Sequence, residues 1–265
     1  MPILETIDGA KINYEKWPVD ESDTGPFVTL INGHTRSLTD YRQLGKLLNS
    51  FGYNVIALDN RGSGKTEITA GMAFSVSDMV RDVVGIWDQE GVAESHLMGI
   101  SMGGLIAQAL ACQHSDRIMR LILVSTSPSR SYLKNNEQGW VTDAEGIEAK
   151  MAGYFAPGFI SRNRLLFDAM VKQTFKAMAD GSFLVRAELQ RKAIQGFTPP
   201  PVEQIRAATL VIHGEEDAIV DLEGGRELAR RIPGARLMTL PKAGHLLLAE
   251  KPKELFDAVT GFLGS

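Results

Sequence analysis

A chain of 265 residues can bury roughly three-quarters of the surface that its unfolded form exposes, so neither disulfides nor metals are needed to hold it together. With 44% hydrophobic and 23% charged residues, a net charge of −4 and no basic block, the composition gives no reason to expect nucleic acid as a partner. The single cysteine, Cys112, excludes an intrachain disulfide, and no run approaches the roughly 18 apolar residues of a membrane span.

The first residues, MPILETIDGAKINYEKW, lack a basic segment followed by an apolar core, so no signal peptide is read and a cytoplasmic protein is expected. Leu4–Ile7 and Lys11–Trp17, separated by Asp8-Gly9, suit a hairpin. Phe27–Asn32 is a near-continuous apolar run, as for a strand covered on both faces. Leu38–Phe51 has helical spacing through Tyr41, Leu44, Leu47 and Leu48. Asn54–Asp59 is the next strand, and Ser75–Gln89 the next helix. His96–Ile100 leads through a turn into a helix over Met102–His114, apolar almost all round and therefore expected to be buried, with Cys112 an inert thiol inside it. Met119–Val124, Thr209–Ile212 and Arg236–Leu240 are further strands. Helices near Leu222–Ile232 and from Glu254 complete the chain.

Strands alternating with helices from residue 27 onward imply an α/β fold with a mostly parallel central sheet and helices on both faces. Residues 127–203 interrupt the pattern. They carry a capping-box match at Thr142-Asp143-Ala144-Glu145 and an apolar stripe of Phe167, Met170, Val171, Phe175 and Met178, opposite Asp168, Lys172, Lys176 and Asp180. Pro199-Pro200-Pro201 then stops any helix. The stretch reads as a helical cap over the sheet's C-terminal edge, with 1–126 and 204–265 as the core.

Gly99-Ile100-Ser101-Met102-Gly103 matches G-x-S-x-G, and it lies where a strand ends and a helix begins, as a nucleophile elbow requires. The N–H groups and partial positive charge of that helix start favour negative charge on a substrate oxygen. A serine hydroxyl needs a base. Of the five histidines, His96 opens a strand, His114 ends a helix, and His213 ends a strand and reads as a core or loop residue. His245 follows the last strand, beyond the sheet edge from which Ser101 emerges, and is the candidate base. The acid that orients it should sit at another strand end. Asp217 is a candidate there; Glu215, Glu216 and Asp221 compete on spacing. Ser125–Ser131 contains no carboxylate. One oxyanion donor should be the N–H of Met102 and the other should come from the loop after residue 32, with His34 preferred over Thr35.

Gly64-Lys65-Thr66 hints at a phosphate loop, but G-x-x-x-x-G-K-[ST] would need glycine at position 59, where Asp59 stands.

Taken together, Asn32-Gly33-His34, Asp59–Thr66, Gly99–Gly104, Gly214–Asp217 and Gly244-His245 resemble, in order, five motifs of the α/β-hydrolase superfamily. The similar subgroup is that of small carboxylesterases and 3-oxoadipate enol-lactonase-like hydrolases. The resemblance implies Asp217 as the acid and no cofactor or metal. Asn32 stands where the family usually has His, in a position that supports the loop. A dehalogenase or epoxide hydrolase would carry Asp at position 101.

The resulting expectation is a serine hydrolase of a small-molecule ester or lactone, acting through an acyl-enzyme on Ser101. Phe155, Phe159, Phe167, Met170 and Phe175 either line an acyl pocket or pack the cap. Same-fold alternatives are a lyase, a carbon–carbon bond hydrolase or a ligand receptor with a vestigial triad. Acyl size and oligomeric state are not set by the sequence.

Overall fold

Phe27–Ile31, Asn54–Leu58, Ser95–Ile100, Ile118–Val124 and Ala208–Gly214 are rich in apolar and β-branched residues, and in the computed structural model of the protein each is a largely buried strand. The structure describes residues 2–20, 24–69, 71–134, 143–179 and 181–264. The strands are β1 (Ile3–Glu5), β2 (Lys11–Trp17), β3 (Phe27–Ile31), β4 (Asn54–Leu58), β5 (Ser95–Ile100), β6 (Ile118–Val124), β7 (Ala208–Gly214) and β8 (Arg236–Leu240). Among the described residues they form an eight-stranded sheet in the order β1-β2-β4-β3-β5-β6-β7-β8. The pairs β1·β2 and β2·β4 are antiparallel, and β3 to β8 run parallel. This is the α/β-hydrolase fold.

The helices are α1 (Arg42–Ser50), α2 (Val76–Gln89), α3 (Met102–Gln113), α4 (Ala144–Ala152), α5 (Pro157–Arg162), α6 (Arg164–Met178), α7 (Ser182–Gln195), α8 (Leu222–Arg231), α9 (Leu247–Glu250) and α10 (Pro252–Leu263). Successive strand residues face opposite sides, which splits the core in two. Val28, Leu30, Val55, Ala57, Ile122 and Val124 meet Leu44, Leu48, Leu255, Val259 and Phe262 from α1 and α10. Ile56, Leu58, Leu97, Leu121, Leu123 and Val211 meet Val83, Trp87, Ile106, Leu110 and Leu228 from α2, α3 and α8. Helix α3 is buried from Met102 to Ala111, as its uniform apolarity predicts. Cys112 is only half-buried, and its thiol is pushed up to about 11 by burial and then by Glu203.

Several boundaries differ from the sequence expectation for local reasons. The first strand ends at Glu5, and Ile7 is fully exposed in the turn before Ala10. Residues 38–41 form a 3₁₀ turn before α1, capped by Ser37. The last helix begins at Pro252, where a missing N–H costs nothing. Thr142 lies outside the described residues; Asp143 caps α4, accepting from the Gly146 N–H at 2.8 Å. Asp180 also lies outside them.

Helices α4 to α6 enclose a third apolar cluster of Ile147, Met151, Phe155, Phe159 and Phe167, against which Leu246 and Ala249 pack. Phe175 is not part of it and is 50% exposed. At about 100° per residue, position 175 is turned about 80° from Phe167, whereas Thr174 stays within about 20°. Thr174 accordingly reaches the Sδ of Met151 at 3.7 Å. Among the described residues, no helix is long and apolar enough to cross a membrane.

The segment Asp59–Thr66 is a structural junction. Asp59 Oδ1 accepts from the Leu38 N–H at 2.8 Å, and Oδ2 from Asn13 Nδ2 and the Lys65 N–H at 2.8 and 2.9 Å. The Lys65 amide that a phosphate would need is therefore occupied by the chain's own carboxylate. Beside it, Arg61 is buried and holds Asp82 through Nε and Nη2 at 2.7 and 2.8 Å, and Asp8 through Nη1 at 2.5 Å. Asp82 is 2% exposed, so removing the guanidinium strands a buried charge. Arg61→Met is expected to lower the unfolding free energy by about 3–5 kcal/mol, read from the urea midpoint; an unchanged midpoint would show that the pair is not a keystone of this junction.

Candidate active site

All six parallel strands end at one edge, and their following loops gather there. Ser101 is the first residue beyond β5, with φ 54° and ψ −116°, and α3 starts immediately after it. Such a conformation costs a non-glycine residue about 1–3 kcal/mol. The turn is held by Ser101 N–H to Val124 O, Gly104 N–H to Ser101 O and Thr126 Oγ1 to Ser101 O, each at 2.9 Å. Only glycine fits on either side: a Cβ at Gly99 would lie 2.3 Å from Gly103 O, and one at Gly103 2.1 Å from Ile31 O.

Asp217 lies three residues past β7 and is 2% exposed. His245 Nδ1 donates to its Oδ2 at 2.8 Å, while Oδ1 accepts the Ile219 and Val220 N–H groups at 2.8 and 2.9 Å. A carboxylate partner on Nδ1 leaves Nε2 of His245 as the free lone pair. Glu215 and Glu216 are exposed, and Asp221 caps α8 and pairs with Lys134. Of the four acidic candidates, only Asp217 meets the imidazole.

His213 was expected to be a core or loop residue, and it is fully buried. It also has a second property that its position at a strand end did not reveal. Its Nε2 lies 3.4 Å from Asp217 Oδ2 and donates to Val220 O at 3.1 Å. Burial pushes the Asp217 carboxyl up, but the charges and hydrogen bonds of His245 and His213 outweigh it and hold the group well below the usual carboxylate range. The i, i+4 spacing of His213 and Asp217 was the available signal.

The loop carrying His245 is braced from the other side. The His245 N–H donates to Tyr154 O at 2.8 Å, and the Tyr154 ring lies 5.9 Å from the imidazole. Glu250 of α9 accepts the Gly244 N–H at 3.0 Å and the Ala156 N–H at 2.9 Å. Burial pushes the Glu250 carboxyl up. No motif pointed to Glu250.

After β3, Asn32 Oδ1 accepts the Gly33 N–H at 2.8 Å, and Asn32 Nδ2 donates to Ser37 O and Asp40 Oδ2 at 2.8 and 3.0 Å. Asn60 Nδ2 donates to Asn32 O at 2.8 Å. Asn32 thus supports the loop, the task expected of that position. The Thr35 N–H is taken by Gln190 Oε1 at 2.7 Å. Between Gly33 and Arg36, whose amides and that of Thr35 are occupied, His34 is the residue whose amide no acceptor takes among the described residues. Burial holds the His34 ring below its ordinary range, although its bond to Ala187 O pulls the other way.

Ser101, Met102, His34 and His245 all line one cavity of about 1410 Å³. Ser101 Oγ makes no hydrogen bond to His245 among the described residues; such contacts are commonly long in free enzymes and tighten around substrate. Met170 lines the cavity together with Met151, Tyr154 and Leu166. Phe155, Phe159 and Phe167 do not: inside the third cluster Phe155 stacks on Phe159 and meets Phe167 edge-on, with ring centroids 5.0 and 5.7 Å apart. Phe175 faces outward. Among the described residues, no group of three or more His, Cys, Asp or Glu side chains could hold a metal ion.

Comparison with known proteins agrees with this architecture. A family model described as "Serine aminopeptidase, S33" matches residues 23–252. The crystal structure of the enol-lactonase from Burkholderia xenovorans LB400 superimposes with a TM-score of 0.82 at 26% identity, covering 100% of both chains. The 3-oxoadipate enol-lactonase 1 of Acinetobacter baylyi is 25% identical over 80% of this chain and 79% of its own. The 2-hydroxymuconate semialdehyde hydrolase of Pseudomonas putida is 29% identical over 79% of this chain and 76% of its own.

The depressed Asp217 fixes a sign. A carboxyl held below its unfolded value of 3.8 adds stability that is full above that value and lost as pH falls through it. Thermal melting followed downward from about pH 5 should show the native protein losing stability more steeply than Asp217→Asn. Parallel curves would remove the carboxylate's part in acid sensitivity.

Proposed function

We propose that this chain, which belongs to the serine aminopeptidase S33 family and through it to the α/β-hydrolase superfamily, is a serine hydrolase that cleaves a carboxylic ester or lactone of a small molecule. One observation carries the reading: His245 is tied to the buried Asp217 at 2.8 Å on the rim of a cavity that Ser101 also lines. In that arrangement Ser101 Oγ attacks the carbonyl carbon while His245 Nε2 takes its proton. The oxyanion is received by the N–H groups of Met102 and His34, and Asp217 steadies the imidazolium. The imidazolium returns the proton to the departing oxygen. Water, deprotonated by the same ring, then releases the acid and restores Ser101. Helices α4 to α7 act as the cap over the cavity.

The relatives support ester and lactone chemistry through the enol-lactonases. The 2-hydroxymuconate semialdehyde hydrolase supports a second reading, cleavage of a carbon–carbon bond beside a carbonyl with the same residues. Product analysis over esters, lactones and a diketone separates the two, and turnover of the diketone alone would favour the second. Among the charged side chains lining the cavity, Arg36, Arg42, Arg130, Lys150, Arg186 and Arg191 are cationic, against Asp40 and Glu188. This balance favours a substrate carrying negative charge away from the scissile bond.

Ser101→Ala is expected to fold normally and to lose p-nitrophenyl ester turnover by at least about 10³-fold, and a serine-directed phosphonate should label Ser101 alone. A native rate in the variant, or a label on another residue, sinks the nucleophile assignment. A p-nitrophenyl ester whose acyl chain ends in a carboxylate should have a higher kcat/KM than an uncharged ester of equal length, with the advantage shrinking as salt rises. Equal values at low salt would remove the charge argument and leave the esterase reading standing.

A further inference from the structure

Helix α7 sits on two core loops at once, and a single fully buried side chain, Gln190, joins all three. Its Oε1 accepts the Thr35 N–H at 2.7 Å, and its Nε2 donates to Arg61 O and Ser63 Oγ, each at 2.7 Å. The amide orientation is dictated by its partners: a backbone N–H can only donate and a backbone carbonyl can only accept. One turn earlier on the same helix, Ala187 O accepts from the His34 ring at 2.8 Å. The helix lies against the second loop at Gly62, where a Cβ would meet Arg186 O at 3.1 Å and Gln190 Cγ at 3.2 Å.

We propose that Gln190 is a positioning residue for the oxyanion hole, aiming the His34 N–H by holding the Thr35 amide, so that the hole is correctly formed only while α7 is seated. The proposal rests on the acyl-transfer reading above. Residues 33–36 form a turn in which the Arg36 N–H donates to Gly33 O at 3.2 Å. Gly33 C=O and His34 N–H belong to one peptide plane and point in opposite directions, so the turn sets the direction of the His34 N–H. The turn requires Thr35 at φ 61°, in the left-handed region that threonine rarely adopts. Gln190 ties the amide of that one residue and anchors its own other end on the core. Without it, Thr35 loses a buried partner and is free to leave the left-handed region, and the peptide carrying the donor turns with it. Phe183, Leu184, Ala187 and Arg191 of α7 also line the cavity. A ligand that displaces the helix therefore acts on the oxyanion donor through Gln190, with no contact to Ser101.

The test uses the full chain with a p-nitrophenyl ester and an alkyl boronic acid, which forms a tetrahedral adduct on the reactive serine. Gln190→Met keeps the bulk and removes the amide. It is expected to lower kcat by about 10- to 100-fold and to raise the boronate Ki by a similar factor, because both report a tetrahedral oxygen held by the hole, while KM shifts by less than about threefold. Gln190→Glu keeps an acceptor for Thr35 and should retain more of kcat than the Met variant. Gln190→Ser leaves room for water and carries the same expectation as Met, so it decides the matter if the Met variant fails to fold. Folded variants whose kcat and boronate Ki stay within about twofold of native overturn the proposal, as does a loss confined to KM. A different outcome, no ester turnover in the native protein itself, would strike the acyl-transfer reading rather than the role of Gln190.

Discussion

A carboxylate buried to 2% exposure and still ionised is the constraint around which this molecule is arranged. Desolvation opposes the charge on Asp217, and the surroundings together outweigh that cost. They do so with two imidazoles and the amides of Ile219 and Val220. His213 is the penultimate residue of β7 and the other donors come from chain beyond the strand ends, so this edge must be well ordered for the charge to survive. The parallel register from β3 to β8, with apolar side chains packed above and below, supplies that order.

The opposite side of the cavity is built from hydrogen bonds of amides, with the Asp59 and Asp40 carboxylates as acceptors. Asn32, Asn60 and Asp59 fix the loop after β3 from beneath, and α7 fixes it from above through Ala187 and Gln190. The amides of Gly33, Thr35 and Arg36 each have an acceptor, and that of His34, a residue lining the cavity, has none among the described residues. The geometry follows from subtraction: a donor becomes available where its neighbours have been occupied. The segment Asp59–Thr66, which resembles a phosphate loop in its last three residues, spends its own amide on Asp59 and its arginine on Asp82 and Asp8. Its function is to hold two loops and a helix together.

The protein is a hydrolase of the α/β-hydrolase type, a fold whose relatives include proteins named for lactone opening and for cleavage of a semialdehyde. The apolar interior of the helical layer, centred on Phe155, Phe159 and Phe167, holds α4 to α6 together, while a mixed surface, with Met151, Met170 and Leu184 beside Lys150, Arg186 and Arg191, faces the cavity.

The fold and the placement of Ser101 and His245 at one sheet edge were legible in the sequence because they depend on local events, whereas Asp217 was set apart from Glu215, Glu216 and Asp221 by the family resemblance. A short, near-continuous apolar run makes a strand covered on both faces, a serine between glycines two residues away on either side makes a turn, and a histidine after the last parallel strand emerges at the same edge as a serine after an inner one. What the helical layer does with its side chains was not legible: Phe175 matched an apolar stripe yet faces solvent, and Phe155, Phe159 and Phe167 fill a core of their own. Nor were His213, Gln190 and Glu250, whose partners lie on other elements in two of the three cases. The sequence by itself determined which elements form and where along the chain their ends carry polar groups, since backbone propensity and side-chain period act over a few residues. Only the tertiary structure decided which of those groups meet, because a hydrogen bond between residues 155 positions apart, as between Thr35 and Gln190, depends on how whole helices pack and leaves no trace in local spacing.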